Sequence, residues 1–269
     1  MFSAQTILAT RTPAPAIGVD LNPMRPRRSI AVATATLAVV VGGAFTVDAV
    51  RASVVEADVS TRIRPATPGV PAPTVMIGGG PTSRWSGPET LSSASIRAER
   101  VARPGLAPVT VDAVATDLRV PGDRSVDMTA ESVAIAVQIT GDALGPALGM
   151  RDVLVGAADD PSLAGGVERR ARVTGTLEGT DTRVSAVVDL VVDDRGAHLV
   201  PVSAATGPGG VPDQDPALAL RRTALTLPPD VLPLGLAVET LTVRGGTLTV
   251  GGTGRPGTAP LGDLARPAH

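Results

Sequence analysis

Beyond residue 73 the chain is dominated by apolar and polar positions that alternate. Val133, Ile135, Val137 and Ile139 alternate with Ala134, Ala136, Gln138 and Thr140, the period-two pattern of a strand with one buried face. Ala171, Val173, Gly175 and Leu177 alternate in the same way with Arg170, Arg172, Thr174, Thr176 and Glu178. From Val184 to Val192 both faces are largely apolar, interrupted by Ser185 and Asp189. Asp193-Asp194-Arg195-Gly196 then predicts a hairpin loop into a strand over residues 198–202. Leu241 and Val243 precede Arg244-Gly245-Gly246-Thr247, and Leu248 and Val250 follow; Gly-Gly between two such runs predicts a two-residue hairpin turn. Further strands are predicted over residues 74–77, 93–101, 109–120 and 125–130, and short helical turns over 142–150 and 230–234.

The period changes upstream. Ala52, Val55, Val59 and Ile63 recur at spacings of three and four, while Asp48, Arg51, Glu56, Asp58 and Arg62 fall mainly elsewhere. This predicts an amphipathic helix, which Pro65 should stop. Residues 65–73, PATPGVPAP, then read as a stiff linker. One helix followed by strands on short turns predicts an α+β architecture with an antiparallel sheet. The Gly-, Pro- and Thr-rich residues 253–269 read as a disordered tail after a domain over residues 48–252.

Residues 29–47, SIAVATATLAVVVGGAFTV, are 19 positions without a charge. At about 1.5 Å per residue such a helix nearly crosses a hydrocarbon core about 30 Å thick. Arg25, Arg27 and Arg28 precede it, which predicts that residues 1–28 stay cytoplasmic and the main domain lies outside. The run is longer than the apolar core of a cleaved signal, and its nearest small-x-small site, Val47-Asp48-Ala49, holds an acid. The expectation is an uncleaved single-pass anchor in the cell membrane.

Charge and composition narrow the chemistry. Of the 24 basic and 26 acidic residues, residues 1–28 hold four Arg and one Asp, leaving 20 basic and 25 acidic residues beyond. A domain with that acidic balance is not expected to bind nucleic acid. All the basic residues are arginine and there is no cysteine, which excludes a Walker-type loop, a lysine Schiff base, disulfides and cysteine metal sites. No cofactor is expected. Ile77-Gly78-Gly79-Gly80-Pro81 lacks the lysine and the helix of a phosphate loop and reads as a strand-ending turn. His198 stands in a strand pattern without a G-x-S-x-G elbow. Asp159-Asp160 and Asp193-Asp194 border turns and do not fit a calcium loop. Arg169, Arg170 and Arg172 form a basic cluster suited to phosphate or to a solvated strand face. The aromatic residues are Phe2, Phe45 and Trp85, so a curved sheet built from Val, Leu and Ala either closes on its helix or leaves room for an apolar ligand.

The order of these features, from about Arg27 to Gly252, resembles the LmeA-like phospholipid-binding family of actinobacteria. The likeness lies in the basic tail and membrane segment leading into the helix of Asp48-Ala49-Val50-Arg51-Ala52 through Arg64. It continues in the strand and glycine turn from Thr74 to Pro81, the hydrophobic strand over residues 109–120, and His198-Leu199-Val200-Pro201-Val202. It closes with Leu234-Gly235-Leu236-Ala237-Val238 and the hairpin through Val250. The family often has Phe around the glycine turn, where this chain has Gly80 and Thr82, which points to aliphatic contacts with a ligand. The resemblance implies a long helix packed on a curved antiparallel sheet, tubular lipid-binding-like, that holds or moves envelope lipids or lipoglycan outside the cytoplasmic membrane. It implies a phospholipid or other acyl-chain lipid as partner and no enzymatic activity. Val133, Ile135, Val137 and Ile139, the clearest one-sided strand, are the expected lipid-contacting residues. A scaffolding envelope protein with a filled core is the alternative, and a hydrolase built on His198 a third.

Overall fold

A computed structural model describes residues 48–63, 71–79, 85–87, 90–121, 128–158, 170–254 and 264. The chain divides into two compact units, Met1–Thr46 and Val47–His269, and every described residue belongs to the second. The cytoplasmic tail and the anchor expected over residues 1–47 lie outside the described residues, as does most of the 65–73 linker. Among the described residues no helix is long and apolar enough to cross a membrane.

The architecture is α+β: mostly antiparallel sheet with a few helices. Helix α1, residues 48–63, buries Ala52, Val59 and Ile63, the stripe its periodicity predicted. Glu56 Oε1 accepts from Ile77 N–H at 2.8 Å and Ser60 Oγ donates to Pro73 O, which ties the helix to the start of the sheet. The strands that follow are β1 (Thr74–Ile77), β2 (Trp85–Gly87), β3 (Thr90–Val101), β4 (Val109–Arg119) and β5 (Ser132–Thr140). Helix α2 (Gly141–Leu148) leads to β6 (Met150–Ala157), β7 (Arg170–Leu177), β8 (Arg183–Asp193) and β9 (Gly196–Ala204). After α3 (Pro216–Thr223) come β10 (Leu225–Leu227), two short 3-10 turns at Pro229–Val231 and Pro233–Gly235, then β11 (Thr240–Arg244) and β12 (Thr247–Gly254).

Where one curved sheet was expected there are two. The first is ordered β1-β3-β4-β5-β12-β11, with β2 also on β3; the second is ordered β10-β9-β8-β7-β6. All their pairings are antiparallel. The division arises at α2. Thr140 ends β5 and caps the helix, its side chain accepting from Ala143 N–H at 3.3 Å, an ordinary N-cap role for Thr. Gly149 ends the helix in a left-handed conformation, φ 62°, and the chain re-enters as β6 in the second sheet. Helix α2 lies hard against β6, because a Cβ added at Gly141 would overlap the Val153 carbonyl oxygen. The hairpin of β11 and β12 then returns to pair with β5. Its turn residues Gly245 and Gly246 both have positive φ, 55° and 82°, as a type I′ turn requires. Both sheets feed one hydrophobic cluster, which holds Ile135 and Leu248 from the first and Val173, Val188 and Leu199 from the second.

Two expected boundaries move. Residues 128–130 hold a single bridge, Thr129 to Arg119, in place of the strand predicted over 125–130, whose first three residues are not described. β12 runs through Gly254, past the boundary expected at residue 253; of the expected tail beyond it, residues 255–263 and 265–269 lie outside the described residues. Leu264 is buried in the core cluster, because an apolar side chain is stabilised there and its carbonyl accepts from buried Arg103 at 3.3 Å.

Candidate functional site

The pleat of β5 sends Val133, Ile135, Val137 and Ile139 to one face, and each is 3% exposed or less. Register places them in rows. Val75, Ile96, Ala113, Ile135 and Gly252 form one row across β1, β3, β4, β5 and β12. Ile77, Ala94, Ala115, Val133 and Gly254 form the next. On the opposite face Gln138 Nε2 donates to Asp112 Oδ2 at 2.6 Å, and Arg97 Nη1 pairs with Asp112 at 3.1 Å. The strand is therefore apolar within and polar without, as its alternation predicted.

What covers the inner face was not legible in advance. Gly252 and Gly254 leave room for residues 232–237. A Cβ at Gly252 would overlap the Ala237 carbonyl oxygen and stand 2.8 Å from Leu232 Cδ1, and one at Gly254 would stand 2.5 Å from Leu236 Cδ2. Val231, Leu232 and Leu236 are buried there. Leu234 and Gly235 in the same segment both have positive φ, 62° and 66°; for leucine this costs about 1–2 kcal/mol. The sequence signal existed, since Leu234-Gly235-Leu236 directly after Pro233 reads as a turn, but nothing in it says what the turn lies on.

At the β3–β4 end, Arg103 is buried and donates to Leu264 O. Burial pushes its guanidinium below the usual arginine range, while the Asp230 charge acts the other way.

The other candidates are spoken for within the fold. His198 Nε2 stands 2.8 Å from Asp193 Oδ1 and its Nδ1 3.1 Å from Thr226 Oγ1. Carboxylate, imidazole and hydroxyl thus fall in the order of a catalytic triad, yet they join three neighbouring strands of an open sheet surface, where the set acts as a cross-strand clamp. The His198 hydrogen bond, then the Arg195 N–H, holds the Asp193 carboxyl below the usual carboxylate range. Arg170 Nε pairs with Asp189 Oδ1 at 2.7 Å and Arg172 Nη1 donates to Pro208 O at 3.1 Å; Arg169 is not described. Gly78 N–H donates to Ser93 O at 2.9 Å, continuing the β1–β3 ladder as a strand end does; Gly80 and Pro81 are not described. Asp159 and Asp160 are likewise outside the described residues. Among the described residues no three acids or histidines cluster as a metal site would require.

The apolar interior formed by the described residues fits the comparison with known families. A family model described as LmeA-like phospholipid-binding matches residues 46–253. The chain belongs to the LmeA-like family. No curated protein and no solved structure matches it. The family match runs from the start of α1 to the last turn of sheet in β12, so helix, both sheets and the covering segment 232–237 all belong to the LmeA-like unit. The family is a phospholipid-binding one, and the LmeA-like interior offers aliphatic side chains alone on β5.

Proposed function

We propose that the protein binds phospholipid outside the cytoplasmic membrane, held there by residues 29–47, and takes part in handling envelope lipid or lipoglycan. The observation that carries this reading is the family match over the whole described domain. The acyl chain would lie against Val133, Ile135, Val137 and Ile139, displacing residues 232–237 from their seat on Gly252 and Gly254. Magnitudes allow the exchange. Exposing Val231, Leu232 and Leu236 costs about 5–9 kcal/mol, whereas burying a dozen methylenes yields about 10 kcal/mol at roughly 0.8 each. Purification of the full chain in mild detergent, followed by native mass spectrometry, is expected to show co-purifying phospholipid; a clean apo mass would sink the reading. A reporter active only in the cytoplasm, fused after His269, is expected to be silent, because Arg25, Arg27 and Arg28 should keep the N-terminus inside.

One observation favours a second reading, a scaffold with a filled core. The four β5 residues are sealed by protein atoms, and a permanently packed interior has no place for a ligand. The same mass measurement separates the two.

A further inference from the structure

A charge is built into the end of the apolar interior. Arg103 is 6% exposed, and among the described residues it is the one charged residue that is buried. The chain places it there by continuing the alternation of β3. Ala94, Ile96, Ala98 and Val101 are buried, Ala102 is exposed, and Arg103 takes the next inner position. Val101 pairs with Val109, and Thr110 pairs with Gln138, so Arg103 stands beyond the Ile139 end of the four β5 residues. Leu106 N–H donates to Arg103 O at 3.2 Å and Ala107 N–H to Ala143 O at 3.1 Å, which fastens this turn to α2. From Ile139 back to Val133 the inner face extends about 20 Å at the rise of a strand. The interior is thus a long apolar face with a guanidinium at one end.

One oxygen on that guanidinium belongs to Leu264. This residue is 1% exposed, packs into the core cluster, and accepts from Arg103 Nη2 at 3.3 Å through its carbonyl. An apolar group joined to an oxygen acceptor is the chemical outline of a phospholipid. Burial works against the Arg103 charge, and the Asp230 carboxylate, exposed on the turn that leads into residues 232–237, works for it. An anionic oxygen in place of the neutral carbonyl would add an ion pair to the hydrogen bond. The planar fork of arginine also suits two phosphate oxygens at once.

We propose that Arg103 receives the phosphate oxygens of the bound phospholipid, in the place the Leu264 carbonyl now holds, with an acyl chain running from there along the inner face toward Val133. The inference rests on the phospholipid binding proposed above and adds the residue that recognises the headgroup. Leu264 is then a stand-in that keeps the interior filled until lipid arrives. The group beyond the phosphate would leave the interior at the same end, where Ala102, Gly105 and Pro108 are exposed.

The test uses the full chain in mild detergent, offered equal amounts of dioleoylphosphatidylglycerol and dioleoylglycerol, which differ by the phosphate-linked headgroup. Retained lipid is read by mass spectrometry after re-purification. The natural chain is expected to hold the phospholipid over the diacylglycerol on the order of tenfold, the effect of about one hydrogen bond to a charged group. Arg103→Gln should bring that ratio near one. Leu264→Ala, which touches no charge, should raise retained phospholipid several-fold, because the stand-in holds its place less well. An Arg103→Gln protein that is folded by circular dichroism and keeps the natural preference overturns the headgroup assignment and leaves lipid binding intact. If that variant does not fold, Leu264→Ala decides, and phospholipid no higher than in the natural chain overturns the assignment. A natural chain that retains neither lipid overturns lipid binding and this inference together. Glycerol phosphate that then raises the melting temperature of the natural chain, but not of Arg103→Gln, identifies a soluble phosphate as the ligand and overturns the lipid as its source.

Discussion

The two sheets solve burial differently. In the seven-stranded sheet each strand sorts its residues by face, with Val133 to Ile139 inside and the Arg97–Asp112–Gln138 set outside. In the five-stranded sheet β7 and β8 are covered on both faces where Val173, Thr174 and Gly175 meet Val184, Ser185 and Ala186. Polar groups are buried there and bonded to each other: Thr174 Oγ1 and Ser185 Oγ lie 2.6 Å apart. Further along the same sheet Val191, Val200 and Val202 are exposed. The difference teaches that alternation reports burial only where one face of a sheet meets water. Where both are covered, hydrogen-bond satisfaction decides which polar residues are tolerated.

The largest expected effect breaks the first half of that comparison. Ile135→Asp puts a carboxylate into a face sealed on every side, at several kcal/mol, against a total stability of about 5–15 kcal/mol. The variant should be unfolded or nearly so by circular dichroism. A folded variant with a nearly unchanged melting temperature would mean the inner face is an open groove, and lipid co-purified with that variant would place the lipid site elsewhere. Gly252→Val should cost less, about 1–3 kcal/mol from overpacking against Leu232 and the Ala237 carbonyl. Gly207→Ala, where an added Cβ meets nothing within 4 Å, should stay within about 0.5 kcal/mol when both glycine variants are unfolded in urea. Equal losses at the two glycines would show that residues 232–237 do not rest on the sheet.

The second half of the comparison is sharpened by Thr174→Val and Ser185→Ala. Each alone orphans a buried hydroxyl and should cost about 1–3 kcal/mol, whereas the double variant should lose less than the sum. Strict additivity in a double-mutant cycle would mean the two hydroxyls do not pair. The smallest effect belongs to Asp193→Asn on the exposed clamp. Asp193 has a lowered native pKa, so its contribution is whole above the unfolded carboxylate value near 3.9 and is lost as pH falls through the lower native value. The stability gap between the natural protein and Asp193→Asn should therefore close in acid; a gap that widens toward low pH would contradict the clamp.

Much of this fold was legible in residue order. β1 was read at its true bounds, β4, β5, β7 and β11 to within a residue or two, β12 from its turn but four residues short of its end at Gly254, and the inner face of α1 came from its spacing alone. The misses have local causes. β6 hides its period behind a bulge between Arg151 and Leu154 and a positive φ of 55° at Asp152. Helix α3 has eight residues beginning with proline, too short for a period to declare itself. The split into two sheets depends on α2, whose tight seat on β6 no pattern of hydrophobicity announces. At the candidate site the four β5 residues were placed on the right face, but their cover was not, because residues 232–237 pack through two glycines far along β12 rather than through any neighbour in sequence.

Thr140 belongs to two elements at once, the last residue of β5 and the cap of α2. It therefore ties strand alignment to the placement of α2. A slip of one position against β4 and β12 would turn Val133, Ile135, Val137 and Ile139 to the wrong side. The cap would travel with the chain, but the helix it starts would be carried about 3.3 Å along the strand direction, off a seat where Gly141 leaves no room beside the Val153 carbonyl. Misalignment is thus penalised twice, by packing on the inner face and by packing of α2 on β6.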